Sequence, residues 1–204
     1  DLAANLDQME ATSSRNDLVR ILSDVYRACS VDELEPITYL IQGRLAPFFE
    51  SVEIGLGERL LITAIAGAYS VPKEEVVKLN RQTGDLGATA QRLAPALVLD
   101  LLRDADVVVL RQEDEQASGD RDLRRQARAL SRIAAAGGAG SQQEKLDGFT
   151  GLLGDLDSIS AKHLVRITLG KMRLGIGDPT VLDALSFAKK GDRSLRPILE
   201  AAYN

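Results

Sequence analysis

Residues 167–186 read ITLGKMRLGIGDPTVLDALS. An apolar run stops at Gly170, Lys171 follows at once, G-x-G falls at 175–177, and Asp178 opens a stretch with helical spacing. The pattern predicts helix, tight turn, helix. Further back, the same design stands in LIQGRL (40–45) and IGLGERLLITAIA (54–66). Gly43-Arg44 aligns with Gly170-Lys171, and Gly55-x-Gly57 aligns with Gly175-x-Gly177. Leu61, Ile62, Ala64 and Ile65 then match Val181, Leu182, Ala184 and Leu185, and seven extra residues that include Pro47 separate the two blocks in the first copy. A helical hairpin is therefore present twice.

Outward from these copies the helical period continues. Leu18, Ile21, Leu22, Val25 and Cys29 form one stripe, with Ser14 or Asn16 as its cap. Ser30 and Glu33 form a capping-box pattern for the next helix. Leu123, Ala127, Leu130, Ile133 and Ala134 mark another stripe, and Leu195, Ile198, Leu199 and Ala202 the last. Only VVVL at 107–110 reads as a strand, and a single strand makes no sheet. The polar stretch RQEDEQASGDRD (111–122) reads as a flexible connection between a first lobe at about 1–110 and a second at about 123–204. The expected fold is all-α, a multi-helix domain of two pseudo-symmetric lobes built from helical hairpins.

Composition agrees. Of 204 residues 45% are hydrophobic but only 4% aromatic, so Leu, Ala, Ile and Val must fill the core, which suits helices. No run approaches the roughly 18 apolar residues of a membrane span, and the N-terminus shows no signal-peptide pattern; no membrane partner is expected. Cys29 is the only cysteine, which excludes an internal disulfide and fits a reducing compartment. On its apolar stripe it reads as a small buried hydrophobe. Net charge is −5, yet residues 162–196 hold eight Lys/Arg against three Asp/Glu. Such a basic stretch suits either a solvated helix face or an anionic partner.

Each hairpin turn joins a basic residue, a G-x-G and an acidic residue at a helix start. Glycine lets backbone N–H groups approach a ligand, and a helix N-terminus carries unpaired donors with partial positive charge. This chemistry suits phosphate without reading bases. The same glycines also suit tight helix–helix turns with no ligand. Gly84-Asp85-Leu86-Gly87 repeats the theme with Asp85 as a cap, and Gly137-Gly138-Ala139-Gly140-Ser141 precedes another helix but lacks the G-K-[ST] ending of a P-loop.

Two other features attract chemical readings. Lys145-Leu146-Asp147-Gly148 is a K-x-D-G string, the form that marks the attacking lysine of nucleotidyltransferases. Leu146, Phe149, Leu152, Leu153 and Leu156 around it keep helical spacing, which leaves Lys145 on a solvated flank where it meets a phosphate or nothing. His163 is the sole histidine, with no partner ligands at metal-binding spacing, so neither a metal site nor a catalytic residue is expected.

Six ordered strings carry a resemblance: MEATSSR (9–15), YLIQGRLAP (39–47), IGLGERLL (54–61), GDLGATAQ (84–91), IAAAGGAGSQQEKLDGFTGLL (133–153) and LVRITLGKMRLGIGDPTVLDALS (164–186). The chain resembles the N-terminal DNA-binding domain of ATP-dependent DNA ligases of the archaeal and eukaryotic type. That likeness implies a non-catalytic module lying along the minor groove of nicked double-stranded DNA, with the nucleotidyltransferase and OB-fold domains of the same ligase as partners. It implies DNA contacts at Arg15, Arg44, Gly84, Gly87, Gly138, Ser141, Gly170, Lys171, Arg173, Gly175 and Gly177. No cofactor is expected for this fragment, and ATP and Mg²⁺ are implied only for the full-length ligase. The catalytic domains are expected to lie outside this chain, and the location to be intracellular, at the nucleoid in a prokaryote. The alternative is a helical protein-interaction scaffold, which the acidic balance of residues 1–161 favours.

Overall fold

Capping side chains set several of the helix starts in the first half. The computed structural model describes residues 2–47, 49–50, 54–94, 129–135 and 140–203. Helix α1 spans Leu2–Glu10. Helix α2 (Arg15–Ala28) begins where Ser14 Oγ accepts the Asp17 N–H at 3.3 Å. Helix α3 (Val31–Ile41) carries the expected capping box, with the Ser30 N–H donating to Glu33 Oε2 at 2.8 Å. Helices α4 (Glu58–Ala68) and α5 (Lys73–Thr83) follow, and residues 86–94, α6, are helical too.

Residues 129–135 form α7. Next come α8 (Ser141–Gly154) and α9 (Ser158–Thr168), the latter capped by Asp157 Oδ1 at 2.9 Å from the Ile159 N–H. Helices α10 (Asp178–Lys190) and α11 (Arg196–Tyr203) complete the order. Among the described residues there is no strand, and the fold is all-α. The expected strand at 107–110 and the connection at 111–122 lie outside the described residues.

Length and packing extend the repeat by one helix. Helices α2 and α8 have 14 residues each, and α3 and α9 have 11 each. In chain order α2–α3–α4 therefore corresponds to α8–α9–α10. Helix α2 packs chiefly on α10, while its counterpart α8 packs on α4, the counterpart of α10. That exchange is what a two-fold axis produces, since each surface meets the equivalent of its partner. Equivalent residues should then touch on the axis. They do: a Cβ placed on Gly43 would lie 3.2 Å from the backbone of Gly170.

One core serves both halves. Leu22, Ile41, Leu61, Ile65, Phe149, Leu153, Leu164 and Val165 are all fully buried in a single cluster. The stripe Leu18, Ile21, Leu22 and Val25 is buried as expected. Cys29 departs from expectation only in degree: at the C-cap of α2 it is half-buried, yet it still packs against the core. The α11 stripe is partly bare, with Leu195 and Leu199 half-buried and Ile198 66% exposed. Among the described residues no helix is long and apolar enough to cross a membrane.

Candidate nucleic-acid interface

The two turns are the same turn. At the end of α3, Gly43 has φ +73° and its N–H donates to Leu40 O at 2.9 Å, while the Arg44 N–H reaches Tyr39 O at 2.8 Å. At the end of α9, Gly170 has φ +63°, its N–H donates to Ile167 O at 3.0 Å, and the Lys171 N–H reaches Arg166 O at 2.9 Å. This pair of bonds is a Schellman cap, which needs a left-handed residue and so favours glycine. It sends Arg44 and Lys171 off their helices in equivalent directions. Beyond each turn the second glycine of G-x-G caps the next helix: the Leu60 and Leu61 N–H groups donate to Gly57 O, and the Thr180 and Val181 N–H groups to Gly177 O.

Burial alternates along both turns. Ile54, Leu56, Met172 and Leu174 point inward, whereas Gly55, Gly57, Arg173 and Gly175 are exposed. The apolar residues fasten the turn to the core and leave glycines and cations outside. Gly43, Arg44, Pro47, Gly55, Gly57 and Gly170 line a groove of about 450 Å³. A second hollow of about 150 Å³ holds Glu58, Asn80, Gly84, Asp85, Lys171 and Arg173, and Leu169 borders both. The structure thus gathers Arg44, Gly84, Gly170, Lys171 and Arg173 on adjoining surfaces. Arg173 has φ +58°, rare outside glycine. Its Nη2 donates to Gly84 O at 2.9 Å, and its Nε lies 3.7 Å from Asp85 Oδ2. The side chain therefore joins the second copy to the G-D-L-G turn of the first half.

Other expected contacts fall elsewhere. Gly87 is buried; its N–H already donates to Asp85 Oδ1 at 2.8 Å, and an added Cβ would sit 2.7 Å from Lys162 O. It is glycine so that α6 can press against α9. Arg15, at the start of α2, donates to Asp183 Oδ2 at 3.1 Å and does not line the groove. Ser141 begins α8, away from the groove lining, and Gly138 lies outside the described residues. The basic stretch is also less free than its count suggests. Lys162, Arg166, Arg193 and Arg196 are all held by carboxylates. Among the described residues Arg44, Lys171 and Arg173 are exposed on these surfaces, and Arg173 is itself tied to Gly84 O and Asp85.

Sequence reasoning missed a polar cluster that runs from buried Lys162, His163, Arg166 and Asp85 out to half-buried Asp7 and exposed Glu10. Lys162 Nζ bonds Asp7 and Glu10, and Arg166 bonds Glu10 and Asp85 at 2.9 Å. His163 Nε2 is 3.0 Å from Asp7 Oδ1. Hydrogen bonding from Arg166 holds the Glu10 carboxyl down at about 2. Burial raises the Asp7 and Asp85 carboxyls, but Lys162 and His163 for the first, and Arg166 for the second, more than offset it, so both end lowered. Burial pushes His163 down to about 4. No local spacing signals this cluster, because its partners come from α1, α6 and α9.

Asp7, Glu10 and His163 put their ligand atoms within 4.8 Å of one another, a grouping that spacing along the chain does not show. Lys162 and Arg166 already occupy those carboxylates, so the cluster is a salt-bridge network and does not fit the oxygen cage of Mg²⁺. Lys145 lies within α8, not at a strand end, and does not fit a nucleotide-attacking lysine.

Comparison with known proteins places the chain in a family. A family model described as DNA ligase N terminus matches residues 1–186. The chain is 36% identical over 204 residues to a probable DNA ligase of Dictyoglomus turgidum, covering 100% of the chain and 32% of that protein. It is 41% identical over 199 residues to a DNA ligase of Aeropyrum pernix, covering 96% and 32%, and 36% identical over 208 residues to a DNA ligase of Sulfolobus acidocaldarius, covering 100% and 33%. The chain belongs to the DNA ligase N-terminus family. It spans about a third of the length of these curated relatives.

Proposed function

We propose that this domain is a non-catalytic DNA-binding module that holds nicked duplex by its phosphate backbone along the minor groove. The observation that carries the reading is the meeting of two equivalent Schellman turns, which exposes Arg44, Lys171 and Arg173 beside the G-x-G starts of α4 and α10. Cations and glycine turns on neighbouring surfaces suit two stretches of one sugar-phosphate backbone, and such contacts position a duplex without reading its sequence. Each lobe supplies one backbone site under this reading. The partners are nicked double-stranded DNA and the catalytic domains of the longer ligase, whose end joining would use ATP and Mg²⁺ inside the cell. Fluorescence anisotropy with nicked and intact labelled duplex at two salt concentrations tests it. Binding that strengthens as salt falls, and that favours or equals the nicked duplex, is the expected result. Absence of duplex binding at low salt sinks the reading.

A further inference from the structure

The two copies differ in charge at one place. Gly170-Lys171-Met172-Arg173 carries two cations, whereas Gly43-Arg44-Leu45-Ala46 carries one, with Ala46 standing where the second copy has Arg173. We propose that Lys145 of α8 makes good this difference and contacts a backbone phosphate at the first turn. The inference rests on the DNA-binding reading and adds a residue to it.

Position carries the argument. Helix α8 packs along α4 and brings Lys145 Nζ to 3.4 Å from the point where a Cβ on Gly55 would sit. Gly55 and Gly57 line the groove that holds Arg44. At the equivalent Gly175 no such atom lies within 4 Å, so this cation serves the first copy alone. Lys145 is half-buried, and among the described residues it makes no hydrogen bond or ion pair. Among the described residues, the other half-buried and buried cations of the second half, Lys162, Arg166 and Arg196, are held by carboxylates. A lysine kept beside an exposed glycine turn, with no ion pair among the described residues although Glu50 lines the same groove, is suited to an anion brought by a ligand.

The rest of K-x-D-G is explained by the helix. Asp147 Oδ1 accepts from Gln143 Nε2 at 2.7 Å, and Gly148 faces Ile133, whose Cγ1 would lie 3.3 Å from an added Cβ. Only the lysine is left with a role to fill, and its ligand is a phosphodiester, not a nucleotide it attacks.

The test measures duplex affinity against salt for the wild-type chain, Lys145→Ala, Lys145→Gln, Lys145→Arg and the double variant Lys171→Ala/Arg173→Ala. One lost phosphate contact should weaken binding by roughly fivefold at 0.15 M salt and flatten the slope of log K against log salt by about 1. We expect this for Lys145→Ala and Lys145→Gln, near wild-type behaviour for Lys145→Arg, and unchanged thermal unfolding for all three. Wild-type affinity and slope in Lys145→Ala, alongside weakened binding by the double variant, overturns the role of Lys145 and leaves the broader reading intact. Failure of the wild-type chain to bind duplex overturns both.

Discussion

Gly87 and Gly84 stand three residues apart and are glycine for different reasons. Gly84 has φ +64° with open space around its missing Cβ, so alanine there adds backbone strain only, about 1 kcal/mol. A Cβ added to Gly87 would lie 2.7 Å from the Lys162 carbonyl oxygen and 2.8 Å from Arg166 Cγ. Alanine there forces α6 off α9 and should cost roughly 2–4 kcal/mol, in the range of overpacked cores plus a disturbed ion pair. Urea denaturation of Gly84→Ala and Gly87→Ala should show that order, and equal costs would refute the packing role of Gly87. Arg173 teaches a related lesson. Its left-handed backbone is a sign of constraint that no sequence pattern announces, and the bond to Gly84 O shows what maintains it.

At the scale of the helix, α1 is clamped to α9 by charge. Two linked proton equilibria follow. His163 sits at about 4 against an ordinary 6.5, so between those values the unfolded chain binds the extra proton and stability falls as pH drops. The loss across that window is at most about 3 kcal/mol. Glu10 sits at about 2 against 4.5; its contribution is intact above pH 4.5 and disappears as pH falls toward 2. Chemical denaturation at stepped pH should therefore show decline beginning below pH 6.5. Replacing His163 by Gln should flatten the part between 6.5 and 4 and leave the more acidic part in place. An unchanged profile in His163→Gln would show that burial of this ring is not the cause.

The helices themselves were legible in the sequence wherever a stripe and a cap coincided, as at Ser14 with Leu18 to Val25, or at Ser30 with Glu33. The hairpin repeat was legible because Gly43 and Gly170 both sit at the left-handed position that a Schellman cap requires, with a cation next to each. The equivalence of α2 and α8 was not, since a helix that only supplies an apolar face tolerates many sequences. Nor were the ion pairs of Arg166 with Asp85 and Glu10, or of Asp183 with Arg15, whose partners lie far off in the chain, or those of Asp183 with Arg193 and Arg196, which form across the α10–α11 turn. They absorb much of the charge that made residues 162–196 look like an open basic face.

For the whole molecule, the proposed grip is a matter of counted phosphates. If about six are neutralised, log K against log salt should fall with a slope of about −5. Lys171→Ala/Arg173→Ala should reduce that slope and weaken all duplex sequences alike. A titration series over three or four salt concentrations decides it, and a slope untouched by the double variant would place the interface elsewhere.

The exchange of α2 with α8 across the two-fold has a cost in time. While the chain is being made, α2 emerges with its apolar stripe ready, but α10, the surface that covers it, is still unsynthesised. At cellular translation speeds the wait is roughly ten to thirty seconds. The nascent first half, with α1 on α2 and α4 on α5 but the α10-facing side of α2 uncovered, then waits on the ribosome as a suitable client for chaperones until its far-downstream counterparts arrive.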